Sequence, residues 1–286
     1  MSAFIKDLIE LPFLQNAVLA GILCSIASGI VGTWVVLRRI TYIAAAISHC
    51  ILGGLGAARY FSVVYDLPWL RPVYGAILTA LAAALTIGII SLRAKEREDT
   101  VISALWAIGM AVGVLFIFKT PGYNEDLMSY LFGNILMVSR EDLFLIAGLD
   151  TAVVALTLTF YSQTLAVCFD EEFARTRGMA VEFYYLLLLC LTALTVVLTV
   201  SVVGIIMVIA LLSLPVAIAS RFFDRVWKIM AASTLLGIFF TLTGLAVSYT
   251  PNLPSGAVTI VMAGLTYLLT LVFSALKKPV RQTPAE

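Results

Sequence analysis

Two ionisable side chains lie inside stretches apolar enough to cross a membrane. His49, the only histidine of the chain, follows Ser48 in the segment 43–60, and Asp150 lies inside another apolar segment, 143–162. A titratable group in hydrocarbon is costly unless it faces a cavity, a partner or a substrate. A neutral imidazole is also the commonest metal ligand. We therefore expect His49, Ser48 and Asp150 to line a pathway, although either ionisable group could instead be a structural hydrogen-bonding residue.

A single imidazole cannot hold a divalent ion tightly, because zinc normally takes three or four ligands. The candidates to join His49 are Ser48, Cys50, Asp150 and water. The four cysteines include no C-x-x-C pair, and three of the four fall in apolar segments. Their spacing therefore indicates neither a disulfide framework nor a zinc knuckle. Any contact between His49 and a metal is expected to be transient.

The composition is that of an integral membrane protein. The chain has 286 residues, of which 62% are hydrophobic and 12% charged, and its mean hydropathy is +1.05. Soluble domains carry about 25% charged residues. The net charge of +1 gives no reason to expect a nucleic-acid partner. No G-x-x-x-x-G-K-[ST] loop occurs, so the energy for any active transport must come from another subunit or an ion gradient.

The apolar runs predict an all-α polytopic protein with one transmembrane domain, 1–286. The block 183–219 is too long for one helix, and we expect a break near 201–204. The segment 127–138 is too short to cross and is interpreted as a re-entrant or interfacial helix. Eight crossings, with one of the split helices half inserted, are the alternative to nine. The nine expected spans are 17–37, 42–61, 73–92, 101–118, 143–162, 183–201, 203–220, 229–249 and 256–276.

The distribution of basic residues predicts the orientation. With the N-terminus outside, the inner loops and inner tail collect 13 of the 18 Lys and Arg residues, as the positive-inside rule requires. The C-terminus is then cytoplasmic. The first residues, MSAFIKDLIELPFL, are expected to form an amphipathic helix on the membrane surface, and not a signal peptide.

Three further features could support helix contacts, docking or a kink. Small residues at four-residue spacing, Gly53 with Ala57 and Gly109 with Gly113, allow close packing of helices. Pro215 removes a backbone hydrogen bond inside an apolar helix and is expected to kink it. The inner loop 163–182 contains CFDEEFARTRG, which is either a solvated loop or a short docking helix with acids first and bases last.

Four stretches together carry a resemblance to a known family: VVLRRITYIAAAISHCILGG, SYLFGNILMVSREDL, FDEEFARTRG and VGIIMVIALLSLPVAIA. Over nearly its whole length the chain resembles the permease subunits of the zinc-, manganese- and iron-uptake ABC importers. The resemblance implies a homodimer in the inner membrane of a prokaryote. It also implies two cytoplasmic ATPase subunits and an extracytoplasmic metal-binding protein, with the metal as substrate and no permanently bound cofactor.

The resemblance also assigns roles to individual residues. His49 matches the histidine of the family's D-A-x-S-H motif, which implies contact with the metal in transit. The FDEEFARTRG loop resembles the coupling helix that docks into the ATPase. Its charged residues are Asp170, Glu171, Glu172, Arg175 and Arg177.

The sequence departs from the family pattern at two positions. Ala45 stands where the motif has its aspartate, and Gly53 stands where a proline is usual. A carboxylate at position 45 would share the helix face of His49. Without it, the hard oxygen donor that Mn²⁺ favours is missing from this position, so the metal could be zinc or a chelate and His49 could act as a relay.

Two other functions compete with the importer. A proton- or ion-coupled secondary transporter would use Asp150 and His49 as its protonation pair and would work without ATP. An intramembrane enzyme would need a constellation such as H-E-x-x-H or paired carboxylates, and the sequence contains neither. Only the importer accounts for the charged inner loop together with the resemblance.

Overall fold

α-Helices build the part of the chain that the computed structural model describes, residues 2–93, 98–121, 133, 135–251 and 253–277. No strand occurs in these residues. A short 3-10 helix, Ile135–Met137, precedes α6. The α-helices are α1 (Ser2–Glu10), α2 (Pro12–Leu37), α3 (Thr41–Val64), α4 (Pro72–Arg93), α5 (Glu98–Lys119), α6 (Arg140–Thr159), α7 (Tyr161–Phe169), α8 (Glu171–Thr176), α9 (Val181–Val203), α10 (Ile205–Ala219), α11 (Val226–Tyr249) and α12 (Ser255–Lys277).

The prediction of an all-α polytopic membrane protein is confirmed. Eight of the described helices are long and apolar enough to cross a membrane, and α10 is an apolar helix of 15 residues. A helix of that length rises about 22 Å, which is shorter than a hydrocarbon core of about 30 Å. The ninth expected span is therefore present as a helix that is too short to cross unaided.

The break between α9 and α10 lies at Gly204, inside the predicted range. Its φ of 82° and ψ of 166° belong to a region that only glycine occupies readily. A Cβ added at Gly133, which also has a positive φ, would lie 2.3 Å from the backbone of Val203. Gly133 therefore packs directly against the backbone of this break. The rest of the predicted re-entrant helix, 127–132 and 134, lies outside the described residues.

Helix α6 begins earlier than the sequence predicted, because Ser139 caps it. The Ser139 Oγ accepts from the Asp142 backbone N–H at 3.1 Å, and the Asp142 carboxylate accepts from the Ser139 N–H at 3.2 Å. The helix ends at Thr159 with Phe160 as its C-cap residue, and the separate helix α7 begins at Tyr161. Part of the expected inner loop 163–182 is thus helical.

Helix α2 is the centre of the molecule. It packs against α6, α9, α10 and α11. Its C-terminal part, from Val31 to Val35, joins one apolar core, and its N-terminal part, from Leu14 to Ala27, joins a second core. Hydroxyl contacts add to this packing. Ser28 meets Thr199 of α9 at 3.3 Å, and Ser25 meets Thr241 of α11 at 3.3 Å.

Helix α3 packs between α4 and α5, and glycines permit the close approach that the sequence predicted. A Cβ added at Gly109 would lie 2.6 Å from the Cα of Cys50, and one at Gly113 would lie 2.6 Å from the backbone of Leu52. A Cβ added at Gly54 would lie still closer, 2.2 Å, to the Gly75 carbonyl oxygen of α4. Helices α5 and α12 leave most of their apolar surface exposed. Such faces suit contact with lipid or with another subunit.

Contacts at the two ends of the bundle show which loops lie together. At one end, the Tyr249 hydroxyl donates to Asp7 of α1 at 3.0 Å, and Arg71 forms an ion pair with Glu141. At the other end, Arg38 contacts α7 and α8. A helix is present at the N-terminus as predicted, α1, with Phe4 buried in the same core as Leu14, and its position on the membrane surface stays a prediction.

Candidate translocation and coupling sites

His49 lies in the third turn of α3, on the side that faces α5. Its ring stacks on Trp106 with 4.4 Å between centroids and 13° between planes. The Nδ1 atom is enclosed and has no hydrogen-bond partner among the described residues, and no other hydrogen bond of His49 exists there. The residue as a whole is partly exposed, and Nε2, unlike Nδ1, is not among the enclosed atoms without a partner. A ligand reaching this imidazole would meet Nε2.

The neighbours of His49 on α3 are enclosed. The Ser48 side chain is fully buried, and its hydroxyl donates to the Ala45 carbonyl at 2.7 Å, within the same helix. The Cys50 thiol donates to the Leu105 carbonyl of α5 at 3.2 Å. Ser48 and Cys50 therefore use their polar atoms for packing, and His49 is the one ionisable group of this turn with an open edge.

The two departures from the family pattern lie on the same helix. Ala45 is 7% exposed and lies one turn before His49, so a longer side chain there would project along the imidazole face. Gly53 lies in the close contact with α5, because a Cβ there would be 2.9 Å from the Gly109 carbonyl oxygen. The glycine at position 53 thus serves the contact between α3 and α5.

Asp150 lies on the buried face of α6, in line with Ile146, Val153 and Thr157. It is 4% exposed and lies close to Cys24 and to the backbone of Ala27 on α2. Its Oδ1 atom has no hydrogen-bond partner among the described residues. A buried carboxylate oxygen without a hydrogen-bond partner is unusual. Asp150 is therefore an unusual polar residue in the contact between α2 and α6.

The structure does not bring Asp150 and His49 together. His49 faces α5 and Asp150 faces α2, and within the described residues no hydrogen bond or ion pair joins them. No group of three or more His, Cys, Asp or Glu side chains suited to a metal occurs in this part of the chain either. A protonation pair made of these two residues therefore gains no geometric support, and the role of Asp150 in a pathway stays a prediction.

The charged segment that the sequence predicts as an inner loop contains a short capped helix, α8. The Asp170 carboxylate accepts from the Phe173 N–H at 2.9 Å, and Glu171 and Glu172 occupy the first turn. Arg175 lies in the last turn, and Gly178 ends the segment with a φ of 75°. This order of charges complements the helix dipole.

The outward face of α8 is well suited to docking. Glu172, Phe173, Arg175 and Arg177 are exposed, and the Arg177 guanidinium lies over the Phe173 ring at 5.2 Å. Ala174 is the buried residue of this helix, packed with Val167 of α7 and Val181 of α9. An exposed aromatic residue flanked by charges is typical of surfaces that bind a partner.

Sequence reasoning missed Arg38, which was counted only as a basic residue of an inner loop. Arg38 caps the C-terminus of α2 and forms an ion pair with Glu171. It also donates to the Val167 carbonyl at 3.3 Å and lies over the Tyr185 ring at 5.5 Å. Burial raises the pKa of the nearby Cys168 thiol to about 11, and the Arg38 charge opposes that rise. The arginine pair at 38 and 39 was the one available sequence signal.

Pro215 lies inside α10, as predicted. A proline there leaves the Leu211 carbonyl without its usual helical donor. Leu212, the residue after Leu211, packs closely against α2. A Cβ added at Gly32 of α2 would lie 2.4 Å from the Leu212 carbonyl oxygen. The turn of α10 that lacks this hydrogen bond therefore packs against the central helix α2.

Comparisons with known proteins agree over nearly the whole chain. Residues 10–274 match the ABC 3 transport family. A Chlamydia muridarum protein named "Probable metal transport system membrane protein" is 41% identical, with 91% of this chain and 89% of that protein covered. The manganese transport system membrane protein MntC of Halalkalibacterium halodurans is 30% identical, with 96% and 91% covered.

A solved structure shows the same architecture. PsaBC from Streptococcus pneumoniae, determined in complex with Fab, superposes with a TM-score of 0.83 and 32% identity, and 94% of each chain is covered. The sequence match and the shared fold extend across both the His49 region and the α8 region. The chain belongs to the ABC 3 transport family.

Proposed function

We propose that this chain is the membrane-spanning permease subunit of an ATP-driven importer that moves a divalent metal ion, zinc, manganese or iron, into the cytoplasm. The observation that carries the proposal is the match of residues 10–274 to the ABC 3 transport family, and the fold shared with PsaBC over 94% of both chains agrees with it. The names of the Chlamydia and Halalkalibacterium relatives, which refer to metal and manganese transport, support the substrate class.

The energy source is proposed to be a separate cytoplasmic ATPase. The sequence has no P-loop of its own, and α8 offers an exposed, capped and charged helix at the end of the bundle where Arg38 lies. We assign α8 as the coupling helix, with Glu172, Arg175 and Arg177 on its outward side. The positive-inside pattern supports placing this end in the cytoplasm and the N-terminus outside.

The metal is proposed to contact His49 transiently. An exposed Nε2 edge on an otherwise enclosed helix suits a relay better than a storage site, because one imidazole supplies one of the three or four ligands that a zinc ion normally takes. Weak binding also favours transport, since an ion must leave the site as readily as it enters. A second copy of the chain and an extracytoplasmic metal-binding protein complete the proposed assembly.

The test is metal accumulation in cells that lack their own importers. The cells would express this chain with its cognate ATPase and metal-binding protein and would be supplied with zinc, manganese and iron in turn. We expect uptake with the wild type, none with an ATPase-dead partner, and a loss of about tenfold or more with His49→Ala. ATP-independent uptake that an uncoupler abolishes would contradict the proposal and favour the secondary transporter.

A further inference from the structure

We propose that Arg38 is the positioning residue that joins the coupling helix α8 to the helix pair α2 and α3, which carries His49. This inference rests on the proposed function, because it assigns to Arg38 the transfer of movement from the ATPase to the metal pathway. The observation that supports the inference is that the guanidinium of Arg38 contacts three helices, α7, α8 and α9.

The contacts of Arg38 differ in kind, and together they fix its position. The guanidinium forms an ion pair with Glu171 at the start of α8 and donates to the Val167 carbonyl of α7. The Tyr185 ring of α9 covers one face at 5.5 Å. The Arg38 side chain is 21% exposed and that of Glu171 is 40% exposed, so solvent screens this ion pair only in part. A planar guanidinium can satisfy all three neighbours, whereas a lysine ammonium cannot.

Helix α8 is otherwise lightly held. Its main contacts are with the adjoining helix α7 and with α9, and one residue of it, Ala174, is buried in the small apolar cluster with Val167 and Val181. A helix of six residues with one buried side chain can shift as a unit. The Arg38 ion pair adds to this cluster a charged link to the central helix α2.

The turn after Arg38 connects α2 to α3 through a short hydrogen-bonded segment. The backbone N–H groups of Arg38, Arg39 and Ile40 donate to carbonyls of α2, at 2.9, 3.1 and 3.0 Å. Arg39 adopts a φ of 59°, and α3 begins two residues later, at Thr41. This short hydrogen-bonded turn has little freedom to absorb a displacement. A shift of α8 that pulls on Arg38 should therefore move α2 and the first turns of α3, up to His49.

The test measures coupling, which is the amount of metal moved for each ATP hydrolysed, in vesicles holding the permease with its cognate ATPase and metal-binding protein. Arg38→Glu and Glu171→Arg are each expected to lower this ratio about tenfold while the ATPase remains bound. The double variant, which restores an ion pair with reversed charges, is expected to recover the ratio to within about threefold of the wild type. Glu171→Gln, which removes the charge with little change in shape, is expected to behave like the single variants.

The matched control is the other ion pair of the described residues, Arg71 with Glu141, at the opposite end of the bundle. Arg71→Glu makes the same charge reversal without touching α8, and the coupling ratio should not change. Copurification of the ATPase and elution as one species show that each variant is assembled.

The outcomes separate the two proposals. A wild-type ratio in Arg38→Glu or Glu171→Gln would overturn the role of Arg38 and leave the importer intact. A double variant that assembles but couples no better than the single variants would also overturn it, because the charges would then act separately. If the wild type hydrolyses ATP without moving manganese, zinc or iron, the proposed function is wrong and the role of Arg38 falls with it.

Discussion

The imidazole of His49 is held by an aromatic stack and not by a hydrogen bond. Stacking on Trp106 fixes the plane of the ring while leaving the Nε2 edge accessible. An aromatic pair of this kind contributes about 0.5–1.5 kcal/mol beyond the area it buries. Trp106 therefore positions His49 without occupying either of its nitrogen atoms.

Removing Trp106, the stacking partner of His49, should weaken the binding of metal at His49. Trp106→Leu is expected to raise the apparent KM for metal uptake about three- to tenfold, because the imidazole then samples more orientations. Trp106→Phe keeps an aromatic face and should stay within about twofold of the wild type. Uptake as a function of metal concentration gives both values, with Trp227→Phe, at an exposed tryptophan of α11, as the control. An unchanged KM in Trp106→Leu would remove the positioning role.

Restoring a carboxylate one turn before His49 should alter the choice of metal. Ala45→Asp would add a hard oxygen donor on the imidazole face and is expected to shift preference towards manganese over zinc. The measurement is competition uptake with both metals present. Ala45→Asn, which matches the size but lacks the charge, is the control. If Ala45→Asp reaches the membrane at normal levels and its preference is unchanged, position 45 does not line the path.

At the scale of helices, the contact between α3 and α5 depends on glycine. Gly109 and Gly113 of α5 meet the backbone of α3 at distances that leave no room for a methyl group. Gly148 of α6 has no atom within 4 Å of the place where its Cβ would lie. Glycines in two apolar helices of the same protein therefore have opposite environments.

This difference predicts opposite effects on stability. Gly109→Ala is expected to lower the free energy of unfolding by about 1–3 kcal/mol, because the added methyl would overlap Cys50. Gly148→Ala should be neutral or stabilising by up to about 1 kcal/mol, because alanine has the higher helix propensity. Thermal unfolding in detergent compares the two. Equal melting temperatures for both variants would show that the α3–α5 contact is looser than described.

Local patterns predicted much of the architecture but few of its long-range contacts. Apolar run length located the membrane helices and the break near 201–204, because the length of an apolar run is a local property of the sequence. The start of α6 was missed because the cap formed by Ser139 was not recognised. The contact of Arg38 with Val167 joins residues 129 positions apart. No periodicity encodes such a pair, so the link from α2 to the coupling helix and the stack on His49 emerged only from the fold.

For the whole molecule, the direction of the helices and the charge pattern lead to one topology. Tyr249 at the end of α11 meets Asp7 of α1, and Arg71, just before α4, meets Glu141 in the first turn of α6, so these helix ends lie together. Arg38, Glu171 and Tyr185 share one end, while Asp7, Tyr249 and the Arg71–Glu141 pair share the other. The basic residues favour the first end for the cytoplasm.

Reporter fusions check this topology. A fluorescent protein fused after residue 286 should mature and fluoresce, because the C-terminus is expected in the cytoplasm. Alkaline phosphatase inserted after Asp66, in the connection between α3 and α4, should be active because that connection is expected outside. The reverse pattern, a dark fluorescent protein at the C-terminus and an inactive phosphatase after Asp66, would invert the orientation and place α8 away from any cytoplasmic ATPase.

The most direct test of the central claim is the direction of metal movement in vesicles. The permease, reconstituted with its ATPase, would face a lumen loaded with manganese and the metal-binding protein, and a luminal dye would report free metal after ATP is added outside. The account predicts that luminal metal falls only with ATP and not with an ATPase-dead partner, because an importer moves its cargo towards the ATP-binding side. A rise in luminal metal on adding ATP, or movement that needs no ATP, would contradict it.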